Sequence, residues 1–199
     1  TWVPAVSRDE SNLLHLGLGL RHSDAKQPLR YRTRPEFFNA PLFADTGAIS
    51  AEEAQTWILE AYWRKGPFLL GSEYFGVGVD AAESGDPEFS GYSFTGAWAV
   101  TGEMRGYRKR SGVFNPLPVS RPVNRGGWGA VELVARYSRL DLTDSTVEGG
   151  ELDILSLGVN WWLTPISQFS VNYRDISLDR FGIEGHSSGF NVRLQLILN

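Results

Sequence analysis

The sequence predicts an all-β fold, a set of antiparallel up-and-down transmembrane β-barrel strands, and three observations predict it. Apolar residues recur at every second position in segments that approach ten residues, aromatic residues crowd the ends of those segments, and the connections between them alternate in length. Globular strands average about half that length, whereas about ten tilted residues cross an apolar band of ~25 Å. Composition agrees: 22 Gly among 199 residues, with 7 Trp, 7 Tyr and 11 Phe, suit many strands, tight turns and aromatic belts. The mean hydropathy of -0.23 excludes a helical membrane bundle, and no apolar run approaches the ~18 residues of a membrane helix. The absence of Cys removes disulfides and thiolate metal sites. A net charge of -4 argues against nucleic acid as a partner, because phosphate neutralisation needs a basic face. The opening Thr1-Trp2-Val3-Pro4 carries neither Met nor a basic-then-apolar leader, so a processed or truncated chain is expected.

In chain order, Leu14, Leu16, Leu18 and Leu20 alternate with His15, Gly17, Gly19 and Arg21, and Leu29, Tyr31 and Thr33 alternate with Arg30, Arg32 and Arg34. The next segment is contested. Ser50-Ala51-Glu52-Glu53 is a capping box, after which Trp57, Ile58, Ala61 and Tyr62 fall at helical spacing. As a strand, Trp57, Leu59, Ala61 and Trp63 share one face and Ile58, Glu60, Tyr62 and Arg64 the other; its neighbours favour the strand. Residues 67 to 78 form another strand with mixed faces. Tyr92, Phe94, Trp98 and Val100 then alternate with Ser93, Thr95, Ala97 and Thr101, and Val131, Leu133, Ala135 and Tyr137 with Glu132, Val134, Arg136 and Ser138. Leu155, Leu157, Val159, Trp161 and Leu163 precede a hairpin turn at Thr164 to Ser167, which leads into Phe169, Val171 and Tyr173. The last strand sets Phe190, Val192, Leu194, Leu196 and Leu198 on one face. The total is about nine strands.

Alternation alone does not separate a membrane barrel from a soluble β-sandwich, and a sandwich that binds ligands through exposed aromatics is the alternative reading. Loop asymmetry favours the barrel. Short connections are expected at His22 to Gln27, Lys65 to Pro67 and Thr164 to Ser167, and long polar ones at residues 35 to 53, 79 to 88, 141 to 151 and 179 to 187. Residues 105 to 126, with Pro116, Pro118 and Pro122, form a long link where a short periplasmic turn is expected. The whole of residues 1–199 reads as one barrel portion.

Particular stretches resemble the phosphate-selective porin O and P family. Gly126-Gly127-Trp128-Gly129-Ala130-Val131-Glu132-Leu133-Val134-Ala135-Arg136-Tyr137-Ser138 is similar to a family strand ending in Arg-Tyr-Ser, and Leu157-Gly158-Val159-Asn160-Trp161-Trp162-Leu163 to its Asn-Trp-Tyr strand. Val171-Asn172-Tyr173, Thr101-Gly102-Glu103, the Leu29 to Glu36 run, Asp45-Thr46-Gly47 and Gly66-Pro67-Phe68 extend the likeness along the chain. The resemblance implies a sixteen-stranded, homotrimeric channel of the bacterial outer membrane for phosphate, polyphosphate or other small anions. This chain would be its carboxy-terminal half, and the constriction loop would lie in the other half. Expected partners are small anions, outer-membrane lipid and lipopolysaccharide, and the barrel-assembly machinery. The ending Ile197-Leu198-Asn199 departs from the Phe that such barrels commonly carry.

With the apolar faces on lipid, Arg30, Arg32, Arg34, Arg136, Arg174 and Arg193 are placed in the lumen as an anion path. A guanidinium stays charged at every relevant pH and offers paired donors to phosphate oxygens. Glu60, Glu73 and Glu132 are expected to brace the lumen against such arginines, and Trp57, Trp63, Tyr137, Trp161, Tyr173 and Phe190 to form the aromatic girdle. Basic residues 105 to 125 (Arg105, Arg108, Lys109, Arg110, Arg121, Arg125) read as a solvated loop, as do the acids Asp141, Asp144, Glu148, Glu151 and Asp153, whose spacing matches no calcium loop. No catalytic constellation, cofactor or metal site is expected: His15, His22 and His186 are scattered, and neither a Gly-x-Ser-x-Gly elbow nor HExxH occurs.

Overall fold

The computed structural model describes residues 1–197, so the expected continuation of the last alternating strand through Leu198, and the ending at Asn199, lie outside the described residues. Nine strands form one antiparallel sheet in which each pairs with its neighbour in the chain order of the sheet. They are β1 (Trp2–Val6), β2 (Asn12–Asp24), β5 (Glu53–Lys65), β6 (Phe68–Asp80), β7 (Glu88–Ala99), β10 (Ala130–Asp144), β11 (Val147–Thr164), β12 (Ser167–Arg180) and β13 (Ile183–Leu196). Two short hairpins, β3 (Arg32–Thr33) with β4 (Ala44–Asp45) and β8 (Tyr107–Arg108) with β9 (Val113–Phe114), complete the strands. The sheet is up-and-down, and β1 and β13 are its two outer strands; they do not pair with each other, so the barrel is not closed.

Period two sorts the side chains as expected. Leu18, Leu20, Phe94, Leu157, Phe190 and Leu194 share an outward face that stays exposed, to 77% at Leu20. The soluble sandwich is not formed: among the described residues no second sheet covers this face, and both small hairpins lie against the other one. The contested segment is a strand throughout Glu53–Lys65, paired with β2 and β6. Its helical spacing is overridden because Glu60, Tyr62 and Arg64 find inner-face partners that a helix would not reach.

Several expectations are corrected. The Leu29 to Arg34 run is not a full strand: Leu29 bridges Ile49, Arg32 and Thr33 pair with Asp45 and Ala44, and the whole stretch belongs to the long connection between β2 and β5. Its alternation arises from a small hairpin that lies on the sheet. The ninth strand is instead β1, whose Pro4 is tolerated on an outer strand. No turn forms at His22 to Gln27, since β2 runs to Asp24. Residues 141 to 151 and 179 to 187 are not long loops either, because β10 to β13 continue through them for 14 to 18 residues each. Phe181 and Gly182 both have positive φ, 58° and 68°, the geometry of a tight hairpin turn whose twist matches the strands. Gly66, at φ 53°, serves the same purpose between Lys65 and Phe68.

Two segments fill the inner face. From the rim that carries the β2–β5 and β6–β7 connections, the upper rim, the β2–β5 connection packs inward: Ala44 and Ile49 are buried with Ala54, Val77, Val79, Phe89, Leu142 and Val147. Phe37 and Phe43 pack beside Leu152, Ile154 and Ile176. From the opposite, lower rim, residues 100 to 129 fold onto the same face, with Leu117 buried against Ala99, Ala130 and Trp162. At roughly 25 cal/mol per Å² of apolar surface removed from water, such burial holds a connection that has little secondary structure of its own.

Candidate functional site: an arginine-rich inner face

Because the pleat alternates, the inner faces of β10, β11 and β12 present Arg136 and Ser138, Ser156 and Asn160, and Ser170 and Arg174. The β2–β5 connection lies over them, and beneath it a cavity of about 340 Å³ is lined by Arg32, Arg34, Glu36, Glu73, Arg136 and Ser138, among others. Three of the six expected arginines therefore converge on one space. They come from two different elements, a connection and a strand.

The Arg30, Arg32, Arg34 row projects from this connection and not from a membrane strand. Arg30 is anchored: Nε donates to Asp45 Oδ1 at 2.8 Å and Nη2 to Oδ2 at 2.6 Å. The paired guanidinium, helped by the Gly47 amide and outweighing the opposing effect of burial, sets the Asp45 carboxyl well below the usual carboxylate range, and the same pairing raises Arg30. Arg34 donates to the Ala40 carbonyl at 2.8 Å. Arg32 is exposed and has no ion pair among the described residues. Arg136 and Arg174 reach the connection through Glu36, at 3.4 and 3.3 Å, and Arg174 also lies under the Phe37 ring at 4.9 Å. Arg193 stands apart, exposed on the inner face of the outer strand β13 opposite Ser170.

The three expected acids also face inward, with partners other than the arginine row. Glu60 takes His15 Nε2 at 3.0 Å, while His15 Nδ1 lies 2.6 Å from the Tyr107 hydroxyl. Glu73 accepts from Tyr62. Glu132, 2% exposed, is held bidentate by Arg105 at 2.7 Å and by Asn160 at 3.0 Å. Arg105 is thus no solvated loop residue; it fastens residues 100 to 129 to the wall, as does buried Arg64, which donates to the Arg105 carbonyl at 2.6 Å and to that of Glu10. Sequence reading missed Glu36, Asp45, His15, Arg64, Tyr107 and Arg105 as site residues. Period two places His15 and Arg64 on the inner face, but no local pattern shows which connection each one meets.

The six expected girdle residues all lie on the outward face. Trp63, Tyr173 and Phe190 belong to one cross-strand row that runs Trp63, Leu70, Gly96, Ala135, Leu157, Tyr173, Phe190. Barrel strands tilt about 40°, so a row crossing six spacings of ~4.8 Å climbs by roughly 18 Å and links the two borders of an apolar band. Trp63 bonds Asn12 near the lower rim, and Trp161 bonds the Trp128 carbonyl there. Trp57 lies against Gly76, where a Cβ would stand 2.4 Å from the indole. Tyr137 donates to Asp153 at 2.5 Å.

Towards the upper rim, Arg139 pairs with Asp153 at 3.3 Å and with Glu151, so part of the acidic set is neutralised within the strands. His22, Asp24 and Glu53 bring three possible ligand atoms within 4.8 Å of one another on the outward face; all are solvent-accessible, a common arrangement without an ion.

Comparison with known proteins agrees with this architecture. The family profile for phosphate-selective porin O and P matches residues 2–196. An uncharacterized protein of Caulobacter vibrioides is 32% identical over 167 residues, which cover 80% of this chain and 33% of that protein. Porin O of Pseudomonas aeruginosa is 27% identical over 170 residues, 77% of this chain and 37% of its own length. The chain therefore matches about a third of the length of these relatives.

Proposed function

The chain belongs to the phosphate-selective porin O and P family, and on that basis we propose that the protein containing it is an outer-membrane channel for passive diffusion of small anions, phosphate or polyphosphate among them, rather than an enzyme. The observation that supports this best is the convergence of Arg32, Arg34 and Arg136 on one inner-face cavity, with Arg174 beside it. Guanidinium groups in a narrow, low-dielectric passage raise the local anion concentration, and several sites of moderate strength let an ion leave as readily as it enters. Arg32 and Arg193, exposed and without an ion pair among the described residues, are the sites most open to a passing anion. Lipid and lipopolysaccharide would meet the outward apolar face and its aromatic borders; sixteen strands, a homotrimer and insertion by barrel-assembly machinery complete the proposal.

The test is conductance of the full-length protein in planar bilayers. A salt gradient should give a reversal potential of the anion-selective sign, and Arg32→Gln with Arg34→Gln should reduce that selectivity at least several-fold. Unchanged selectivity in the double variant would remove the arginine row from the path, and a cation-selective wild type would end the anion reading altogether.

A further inference from the structure

Glu36 occupies an unusual place. It follows the fully buried Pro35, has a left-handed φ of 57°, and puts an acid among basic groups. Four donors from three adjacent strands surround its carboxylate: Arg136 Nε at 3.4 Å and Ser138 Oγ at 3.3 Å from Oε1, and Ser156 Oγ and Arg174 Nε, both at 3.3 Å, from Oε2. The three hydrogen bonds, from Ser138, Ser156 and Arg174, lie at the long end of the range, and Arg136 Nε stands at ion-pair distance without forming one. The buried Arg174 Nη1 has no hydrogen-bond partner either. Two guanidinium charges face one carboxylate charge. The cradle is therefore larger, richer in donors and more positive than a flat, two-oxygen group can satisfy.

We propose that Arg136, Ser138, Ser156 and Arg174 form a binding site for a tetrahedral oxyanion of the phosphate class, and that Glu36 is its resident, displaceable occupant. A tetrahedral anion presents oxygens in three directions, bringing acceptors to the nitrogens that Glu36 leaves unpaired, and its second negative charge balances the second guanidinium. The cavity of about 340 Å³ beside Glu36 has room for the incoming ion and for the outgoing carboxylate. Displacement relieves the left-handed φ at Glu36 and undoes its attachment to β10, β11 and β12, so anion occupancy and the position of the connection's tip are coupled. The site lies on the inner face, so its ligand is a free anion and not a lipid head group on the outward face. The inference rests on the anion-channel reading and adds to it a competitor built into the chain.

A ligand that must displace a resident group binds more weakly by the fraction of time the site is free. In full-length protein in planar bilayers, inorganic phosphate should block chloride current, and Glu36→Gln should lower the half-blocking concentration about 3- to 10-fold. Arg136→Gln with Arg174→Gln should raise it by at least as much. A wild type that phosphate blocks, with Glu36→Gln unchanged, overturns the competitor while leaving the channel reading intact; a wild type that is neither anion-selective nor blocked removes the channel reading instead. A second measurement does not depend on how Glu36→Gln folds. Phe37, next to Glu36, packs beside Leu152, Ile154 and Ile176, so Phe37→Trp should report tip release as a red shift of its fluorescence that saturates with phosphate and not with chloride at equal ionic strength. Absence of that shift in a protein blocked by phosphate also overturns the proposal.

Discussion

Asp45 is the carboxylate on which the position of the arginine row depends. Arg30 binds it through two nitrogens, the Gly47 amide donates to it at 3.0 Å, and its backbone carbonyl receives Arg180 from β12 at 2.6 Å. Asp45→Asn keeps the shape and removes the charge, so the charge-assisted pair weakens to neutral hydrogen bonds, at a cost of about 1 to 2 kcal/mol. Hydrogen exchange should show it as roughly tenfold faster exchange of the Leu29 and Ile49 amides, which bond each other's carbonyls at 2.9 and 2.8 Å; unchanged exchange would mean that apolar packing alone holds the connection. The pH dependence follows from the same group. Its pKa is depressed in the attached state relative to ~3.9 when free, so the stabilisation is complete above that value and is lost as pH falls through the lowered pKa. Exchange of these amides should therefore be independent of the pair from about pH 8 to 5 and accelerate only in stronger acid; acceleration already between pH 7 and 6 would point to a different group. Little of this was legible in the sequence. Arg30, Arg32 and Arg34 stand out as a basic row, but the row reads equally well as a membrane strand, because alternation in a short loop hairpin is indistinguishable from alternation in a strand until its partner is known.

The long link of residues 100 to 129 shows what an element can conceal. Its basic residues read as solvated, yet Arg105 is buried against Glu132, and Tyr107 reaches buried His15 across 92 residues of chain. Removing one member of a buried pair leaves the other desolvated and uncompensated, which costs about 3 to 5 kcal/mol, whereas replacing both by apolar groups of similar volume is often near neutral. Glu132→Ala should therefore undock the link, read as faster exchange of the Asn115 amide, which donates to Gly106 at 2.8 Å. Glu132→Leu combined with Arg105→Met should recover most of the protection. Equal exchange in Glu132→Ala and wild type would show that Leu117 and the carbonyls held by Arg64 suffice. Strands were the more legible elements: period two identified the cores of β2, β5, β7 and β10 to β13 and their faces, including the disputed Glu53–Lys65. Their upper ends were not, because Asp141 to Glu151 and Asp179 to Ser187 are rich in Asp, Glu, Gly, Ser and Thr, with apolar residues such as Leu142, Val147 and Ile183 too scattered to show a period. Composition there reads as loop while the ladder continues.

At the scale of the whole molecule the governing facts are an outward face that is apolar and an open sheet. Long strands with exposed Leu18, Leu20, Phe94, Phe190 and Leu194 suit lipid, and lipid offers no hydrogen bonds to an unpaired strand edge. β1 and β13 each present such an edge. Within a bilayer each of these edges must be paired with a strand, and the chain matches about a third of its relatives' length. The family likeness was readable from the ordered motifs between Gly126 and Tyr173, but edge pairing was not, since nothing in the alternation of β1 or β13 names the strand that each edge meets. A concrete expectation separates an intrinsic sheet from one that needs its neighbours. Prepared alone in detergent, the 199-residue chain should associate through its edges, with a mass by light scattering that grows with concentration. Its β11 amides, paired on both sides by β10 and β12, should stay protected in every species, while alternate amides of β13 should exchange freely whenever the chain is monomeric. A concentration-independent monomer with β13 fully protected would mean that the two edges have closed on each other, and the inner face with its arginines would then be enclosed by these nine strands alone.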